Sequence, residues 1–569
     1  MIINKINATF KVATLSLALA LTSCGGDKSE ETKTGDGETS AALKQGSAYN
    51  MFTNTENKLG IFSLNLREIL DKMNLDNQEL PPEIAMGYAV AKPFTTSEYL
   101  GLNIDKPIYG LITVDAYGEP EFIAYTLEVS DTKKFKSVLD MTGMSSMIQE
   151  IDVNGESFSS ISENGVSILW DDKDMLAVVS TKGRDTEEFT KSLLSFRGVD
   201  GPDSPELTSY FSRSDDMNAI YLMKDLAKML ENNPETKNMP ESYTAMMQEG
   251  SSVMSVNFNA GELVMTNEIS AENFKNSEFN MFNAKSIDPS FNNYMTNDKL
   301  VAAGMLSINM EVIASMVSMF GLSENDLAGF KMETGMELVD FLNLASGEFA
   351  FSFNGMETKS EQIDMSEFAD MYSEMTQEQM ELVSMTMNNE PMPSIVFTAG
   401  IKDSTAVGKM IRIKPIVTSE NGYYSNGKDA YMVLKEDKLI VTTSQAAAAF
   451  FGSGSTYPAY QLPGDIDGSK NAFGFMNTTK ESLPNGFVNM LMENKEGQMA
   501  MEYLNQLESI TGEFEFDGMK ISVKTIDKSK NILEYIVNAV TLGIKQEMQM
   551  TEATMETEWD DSEYEAEAY

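Results

Sequence analysis

Five short blocks of this chain occur twice, in the same order, and that repetition limits the fold to one that can be built twice. "LGIFSLNLREIL" at 59 returns as "AGMLSINMEVIA" at 303, with Ser63 matching Ser307 and Asn65 matching Asn309. Both read as a strand running into a helix. "EFIAYTLEVSD" ends at Asp131 and "SIVFTAGIKD" ends at Asp403, and each leads into a helical stretch. "ILWDDKDMLAVVST" at 168 and "MVLKEDKLIVTTS" at 432 read as hairpins with a charged turn between apolar strands. "DMNAIYLM" at 216 matches "SKNAFGFM" at 469, and "FNAGELVMTNEI" at 258 matches "FDGMKISVKTI" at 516. Self-similarity of this kind is the mark of a repeated structural unit.

The repeat predicts two tandem related domains, residues 50–285 and 286–545. Each mixes alternating strands, joined by Gly, Asn or Asp turns, with amphipathic helices. Strands joined by tight turns pair antiparallel. "KPIYGLITVDAYGEPEFIAYTLEV" reads as a long hairpin turning at Gly118-Glu119-Pro120. Helices such as Asp225 to Glu231 and the run around Ile532 to Val540 are expected to cover a sheet face. The fold class is therefore α+β, each copy a mainly antiparallel sheet with flanking helices.

The second copy carries an insertion, residues 354–393, where the first has only the turn "TVDAYGEP". Asp364 and Glu367 can form a capping box there. Phe368, Met371, Tyr372, Met375, Leu382 and Met385 follow at helical spacing. A methionine-rich stripe makes an adaptable binding face. Met371, Met375 and Met385 are accordingly the candidate partner-binding residues. The competing reading is a helix packed on its own domain, in keeping with the 43 methionines spread through the chain.

The amino end predicts location. Lys5 and Lys11 precede an apolar run, "VATLSLALAL", which is followed directly by "LTSC" at 21–24. This is the layout of a secretory signal over residues 1–23, too short to span a bilayer as a permanent helix. Leu21-Thr22-Ser23-Cys24 resembles the bacterial lipobox. The resemblance implies cleavage after Ser23 and acylation of Cys24, the sole cysteine of 569 residues. Several acyl chains make a durable anchor where one does not. Gly25 after the cysteine is in keeping with the outer membrane, and Lys28-Ser29-Glu30-Glu31 resembles the acidic export patch of Bacteroidota surface lipoproteins. Residues 24–49 read as an acidic flexible tether, and 546–569 as an acidic disordered tail.

Composition narrows the chemistry. The chain has 87 acidic residues against 42 basic ones and a net charge of −45, which repels nucleic acid. Histidine is absent. That excludes Ser-His-Asp and Cys-His catalysis and zinc sites built on imidazole. "GYYSNGKD" at 422 imitates a phosphate loop, but Asp429 stands where Ser or Thr should bind magnesium, and no nucleotide is expected. Asp465 and Asp467 begin like a calcium loop whose twelfth position is Met476, so no EF-hand follows. Met385-Thr-Met387 has thioether spacing within a composition already rich in methionine. No cofactor or metal site is expected.

Lipobox, acidic tether and tandem α+β halves together resemble uncharacterised Bacteroidota envelope lipoproteins of a domain-of-unknown-function type. The resemblance implies an outer-membrane lipoprotein facing the periplasm or the cell surface, and it brings no catalytic residues. The expected role is non-enzymatic: membrane attachment through Cys24 and a binding or structural function toward a protein or glycan. The chemistry the residues leave open is glycan hydrolysis by two facing carboxylates across a cleft.

Overall fold

The computed structural model describes residues 47–541 apart from 79, 116–117, 233–249, 271–279, 281, 283–286, 296–299, 321–323, 335, 359–390, 414–416, 419–421, 426–429, 461–469, 480–481, 493–494 and 516. Cys24, the expected tether as far as residue 46, the methionine-rich part of the insertion and the acidic tail lie outside the described residues. So do Asp429, Asp465 and Asp467. Residues 47–49, read as the end of the tether, instead open a helix, Ser47–Asn54, in which Tyr49 is buried. The protein is mixed α+β, with extensive antiparallel sheet and many helices. It divides into two compact units. One runs up to Asn273 and resumes at Asp527, and the other spans Phe274–Ile526.

The first unit contains β1 (Lys58–Leu64), β2 (Ile108–Val114), β3 (Pro120–Val129), β4 (Gln149–Val153), β5 (Glu156–Glu163), β6 (Val166–Trp170), β7 (Asp174–Ser180), β8 (Met217–Leu222), β9 (Ser251–Asn259) and β10 (Glu262–Ser270). All their pairings are antiparallel, in the lateral order β10-β9-β8-β1-β2-β3-β7-β6-β5-β4. Alternation along each strand sends two apolar sets to opposite faces. Ile61, Leu111, Ala124, Val178 and Ile220 pack on one face with Tyr49, Phe52, Tyr210 and Phe211. Ile108, Ile168, Trp170 and Met175 on the other face pack with Leu66, Leu70, Leu100 and Phe135.

Helix α1 (Leu66–Met73) buries Leu66, Ile69 and Leu70, one face at helical spacing. Helix α2 (Thr132–Met141) starts where Asp131 accepts from the backbone N–H of Lys133 and Lys134, and buries Phe135, Val138 and Leu139. Such a cap contributes about 1 kcal/mol. The last described helix, α3 (532–541), also belongs to the first unit. Asn531 accepts from the Leu533 N–H, and Glu534 reaches back to the Asn531 N–H, a capping box. The same Asn531 donates its side-chain amide to the Phe258 carbonyl, and Lys530 accepts from the Gly261 N–H. These bonds attach the end of the described chain to the β9–β10 hairpin.

The second unit contains β11 (Ala302–Ser307), β12 (Ala345–Thr358), β13 (Pro391–Ile401), β14 (Val417–Thr418), β15 (Tyr424–Ser425), β16 (Tyr431–Leu434), β17 (Lys438–Thr442), β18 (Ala472–Asn477), β19 (Leu507–Glu515) and β20 (Gly518–Thr525). Its lateral order is β20-β19-β18-β11-β12-β13-β17-β16-β15-β14, again antiparallel throughout. One face carries Ala303, Met305, Ala350 and Phe473, packed with Phe291 and Met295. Farther along, Val396, Val433 and Ile440 pack with Ala448 and Phe451. On the opposite face, Ile401 packs with Val407 and Ile411 of a helix, Ser404–Ile413, that begins at Asp403. Asp403 accepts from the Ala406 N–H. This helix covers the β13–β17–β16 side, and among the described residues the middle of that face is left to its own side chains.

Candidate functional site

That uncovered middle is the candidate site. Directly paired residues share a face, so the register defines rows across the strands. One row runs Phe397, Phe351, Gly304, Gly474, Gly512 over β13, β12, β11, β18 and β19. The next runs Ala399, Phe349, Leu306, Ala472, Phe514. No side chain in either row carries a charge, an amide or a hydroxyl. Between them lies a cavity of about 530 Å³. Phe351 is 45% exposed, Phe397 39% and Ile395, one row further out, 37%. Phe349 stacks on Phe397 with ring centroids 6.0 Å apart.

The three central glycines are not equivalent. A Cβ on Gly304 would stand 2.4 Å from Phe351 Cε1 and 3.0 Å from the Phe473 carbonyl oxygen. The Phe351 ring therefore lies on the Gly304 backbone, a cross-strand pairing in which the aromatic covers the glycine. Phe514 leans over Gly512 in the same way, 3.1 Å from where a Cβ would be. Above Gly474 nothing lies within 4 Å. The floor is thus bare along one strand and walled by two phenyl rings.

The described lining of this site offers apolar contact. General acid–base work needs an ionisable group within hydrogen-bond reach of the reacting atom, and none is among the described residues that line this cavity. A second cavity, about 610 Å³ in the first unit, has Glu98 as its one lining carboxylate, beside Lys133, Lys134 and Tyr99. Hydrolysis between facing carboxylates finds no pair in either place. Among the described residues no three Cys, His, Asp or Glu side chains cluster to hold a metal ion.

The buried charges of the first unit serve its packing. Lys58 is buried and donates to the carbonyls of Thr53 and Thr55, with Asp225 at 3.6 Å. Burial pulls its ammonium below the usual lysine range, against the attraction of Asp225. Arg197 holds Asp171 through two bonds of 2.6 and 3.2 Å and Asp174 at 2.8 Å. For Asp171, burial pushes upward, but the Arg197 hydrogen bond and the N–H groups of Asp174 and Lys173 prevail, and the carboxyl lies below its usual range. For Asp174 burial prevails over Arg197, and the carboxyl lies above it. Both carboxylates sit at the β6–β7 turn, so the cluster fastens a hairpin.

The residues singled out from the sequence alone, Cys24, Met371, Met375 and Met385, are not among those described. The aromatic–glycine rows were overlooked, although "GEFAFSFNG", "AAGML" and "NAFGFMN" carry them. The signal was a glycine at the centre of several alternating strands.

The profile of a family described as Domain of unknown function (DUF4836) matches residues 92–511. No curated protein matches the chain. Two solved structures, crystal forms III and IV of TP0453, are similar at 8% identity and a TM-score of 0.23, over 40% and 39% of this chain and 78% of theirs. A likeness that small adds nothing to the reading of the site. No described helix is long and apolar enough to cross a membrane, which says nothing of crossing by strands.

Proposed function

This chain belongs to the DUF4836 family, and on that premise we propose that it is a lipid-anchored outer-membrane protein of the cell envelope that binds an apolar ligand without chemical transformation. The observation that carries the binding role is the cavity of about 530 Å³, in which no described lining residue has an ionisable side chain. Ligand sites are concave and mainly apolar, with few polar groups. A surface this apolar and partly exposed on an acidic protein marks an interaction site. The anchor is supported by the spacing of Leu21-Thr22-Ser23-Cys24 and by the lack of any other cysteine.

We further propose that the two units are copies of one ancestral domain. What supports this is a lateral strand order that is the same in both, β1 to β10 standing where β11 to β20 stand. Asp131 and Asp403 cap the helices after matching strands. Gly60 of β1 and Gly304 of β11 are matched positions, and each lies under an aromatic ring of a neighbouring strand, Tyr221 of β8 and Phe351 of β12.

Two measurements test the reading. Labelled palmitate fed to cells should appear on the wild-type chain and not on Cys24→Ala. Label on Cys24→Ala would remove the anchor. Protein purified from its own envelope should yield a bound apolar small molecule to organic extraction and mass spectrometry. Extraction of nothing beyond the anchor, together with failure to bind any added apolar probe, would remove the binding role.

A further inference from the structure

Gly474 lacks the structural reasons that put a glycine in a strand. It sits in the middle of β18, paired continuously with Gly304 on one side and Gly512 on the other, with no bulge in either register. It is not among the residues with positive φ. Among the described residues no neighbouring atom would obstruct a Cβ. Glycine weakens a strand interior through backbone entropy, and where no bend or bulge needs it, it marks close approach by something else.

The surroundings state what that something is. Phe351 and Phe514 cover the flanking glycines and leave bare only the width of β18. One strand spacing is about 4.8 Å, which admits a single polymethylene chain and not a fused ring system lying flat. Carbon atoms of such a chain would rest about 3.5 to 4 Å above the Gly474 backbone, at the best dispersion distance. No described lining side chain could satisfy a charge or a hydrogen bond, so a headgroup is expected to stay outside. The first unit fills the corresponding row. There the matched blocks set Gly60 at the place of Gly304 and Tyr221 at the place of Gly474, and the Tyr221 ring stands 3.0 Å from where a Gly60 Cβ would be, so a side chain occupies what Gly474 leaves bare.

We propose that Gly474 is the seat of the acyl chain of a monomeric lipid, laid between Phe351 and Phe514, and that the second unit alone carries it. The proposal rests on the apolar cavity being a binding site, and it deepens that reading by naming the ligand class and the residue that admits it.

The test uses the full chain as Cys24→Ala, so that the protein's own anchor is absent, with cis-parinaric acid as fluorescent probe and palmitate as competitor. Probe should bind and palmitate should displace it. Gly474→Leu should weaken binding about tenfold or more, since it excludes several methylenes from the seat, while the melting temperature stays level or rises. Gly474→Ala should fall between. Equal binding by all three chains would overturn the assignment of the seat. Binding of a sterol probe in place of the fatty acid would overturn the acyl class while leaving the cavity a binding site. Binding of no apolar probe of either shape would remove the cavity reading itself. The acylated wild type should take up probe as the Cys24→Ala chain does. Uptake confined to Cys24→Ala would assign the seat to the protein's own anchor and overturn the claim for a separate lipid.

Discussion

Gly304 and Gly474 face each other across β11 and β18, yet replacing each with alanine should move stability in opposite directions. At Gly474 the new methyl enters open space on ordinary strand backbone, and restricting the unfolded chain contributes about 0.5 to 1 kcal/mol of stability. At Gly304 the same entropic gain is met by a methyl 2.4 Å from Phe351 Cε1 and 3.0 Å from the Phe473 carbonyl oxygen. The ring must leave the Gly304 backbone and give up that packing, whereas the carbonyl at 3.0 Å need yield only a few tenths of an ångström. Overpacking of this kind costs about 1 to 3 kcal/mol, so Gly304→Ala should lose about 1 to 2 kcal/mol net. The two variants should then differ by about 2 kcal/mol. In a unit of this size each kcal/mol shifts the melting temperature by roughly 2 to 4 °C, so scanning calorimetry of the second-unit transition should separate them by about 4 to 8 °C. Adding Phe351→Leu should erase most of the Gly304→Ala penalty and leave Gly474→Ala unaffected, a coupling that a double-mutant cycle reads directly. Shifts of the same sign for both alanines, or a Gly304→Ala penalty that survives Phe351→Leu unchanged, would refute the reasoning.

Three other outcomes are expected. Lys58→Met should destabilise the first unit by about 3 kcal/mol, because Asp225 is left buried without its cation, and Lys58→Met with Asp225→Leu should recover most of it; denaturant unfolding is the measure. Trp170→Ala should cost about 3 to 5 kcal/mol, whereas Trp170→Phe should cost far less, since the buried indole N–H has no hydrogen-bond partner to lose. Asp171 has its folded pKa below the unfolded value near 3.9, so its contribution is present above that pH and is lost as pH falls through the folded value; Asp171→Asn should flatten the acid limb of a stability–pH curve and leave the neutral-to-alkaline part parallel to wild type.

Strand and helix order were legible because local pattern settles them. The matched blocks fall on β1 with α1 and on β11 with its following helix, and Asp131 and Asp403 each stand where a helix begins. The cavity was not legible. Alternation tells which residues of β12 share a face, but not that Phe351 stays partly exposed on it. Gly304 and Gly474 also look alike in sequence, and only the ring lying over one separates them. Lys58 could not have been placed inside either, since lysine is almost never buried and a single position has no period to betray it.

The first unit is broken in sequence, and this orders the events of synthesis. Residues Phe274–Ile526 are complete as a compact unit before Asn531, Glu534 and α3 leave the ribosome. The usual rule that the earlier domain folds first is therefore suspended here. The hairpin of β9 and β10 must wait, its Phe258 carbonyl and Gly261 N–H without their partners, while the whole of the intervening unit is made. A chain halted after Ile526 would hold a finished second unit and an unclosed first one, so a cell's proteases could single out incomplete copies by one unclaimed hairpin.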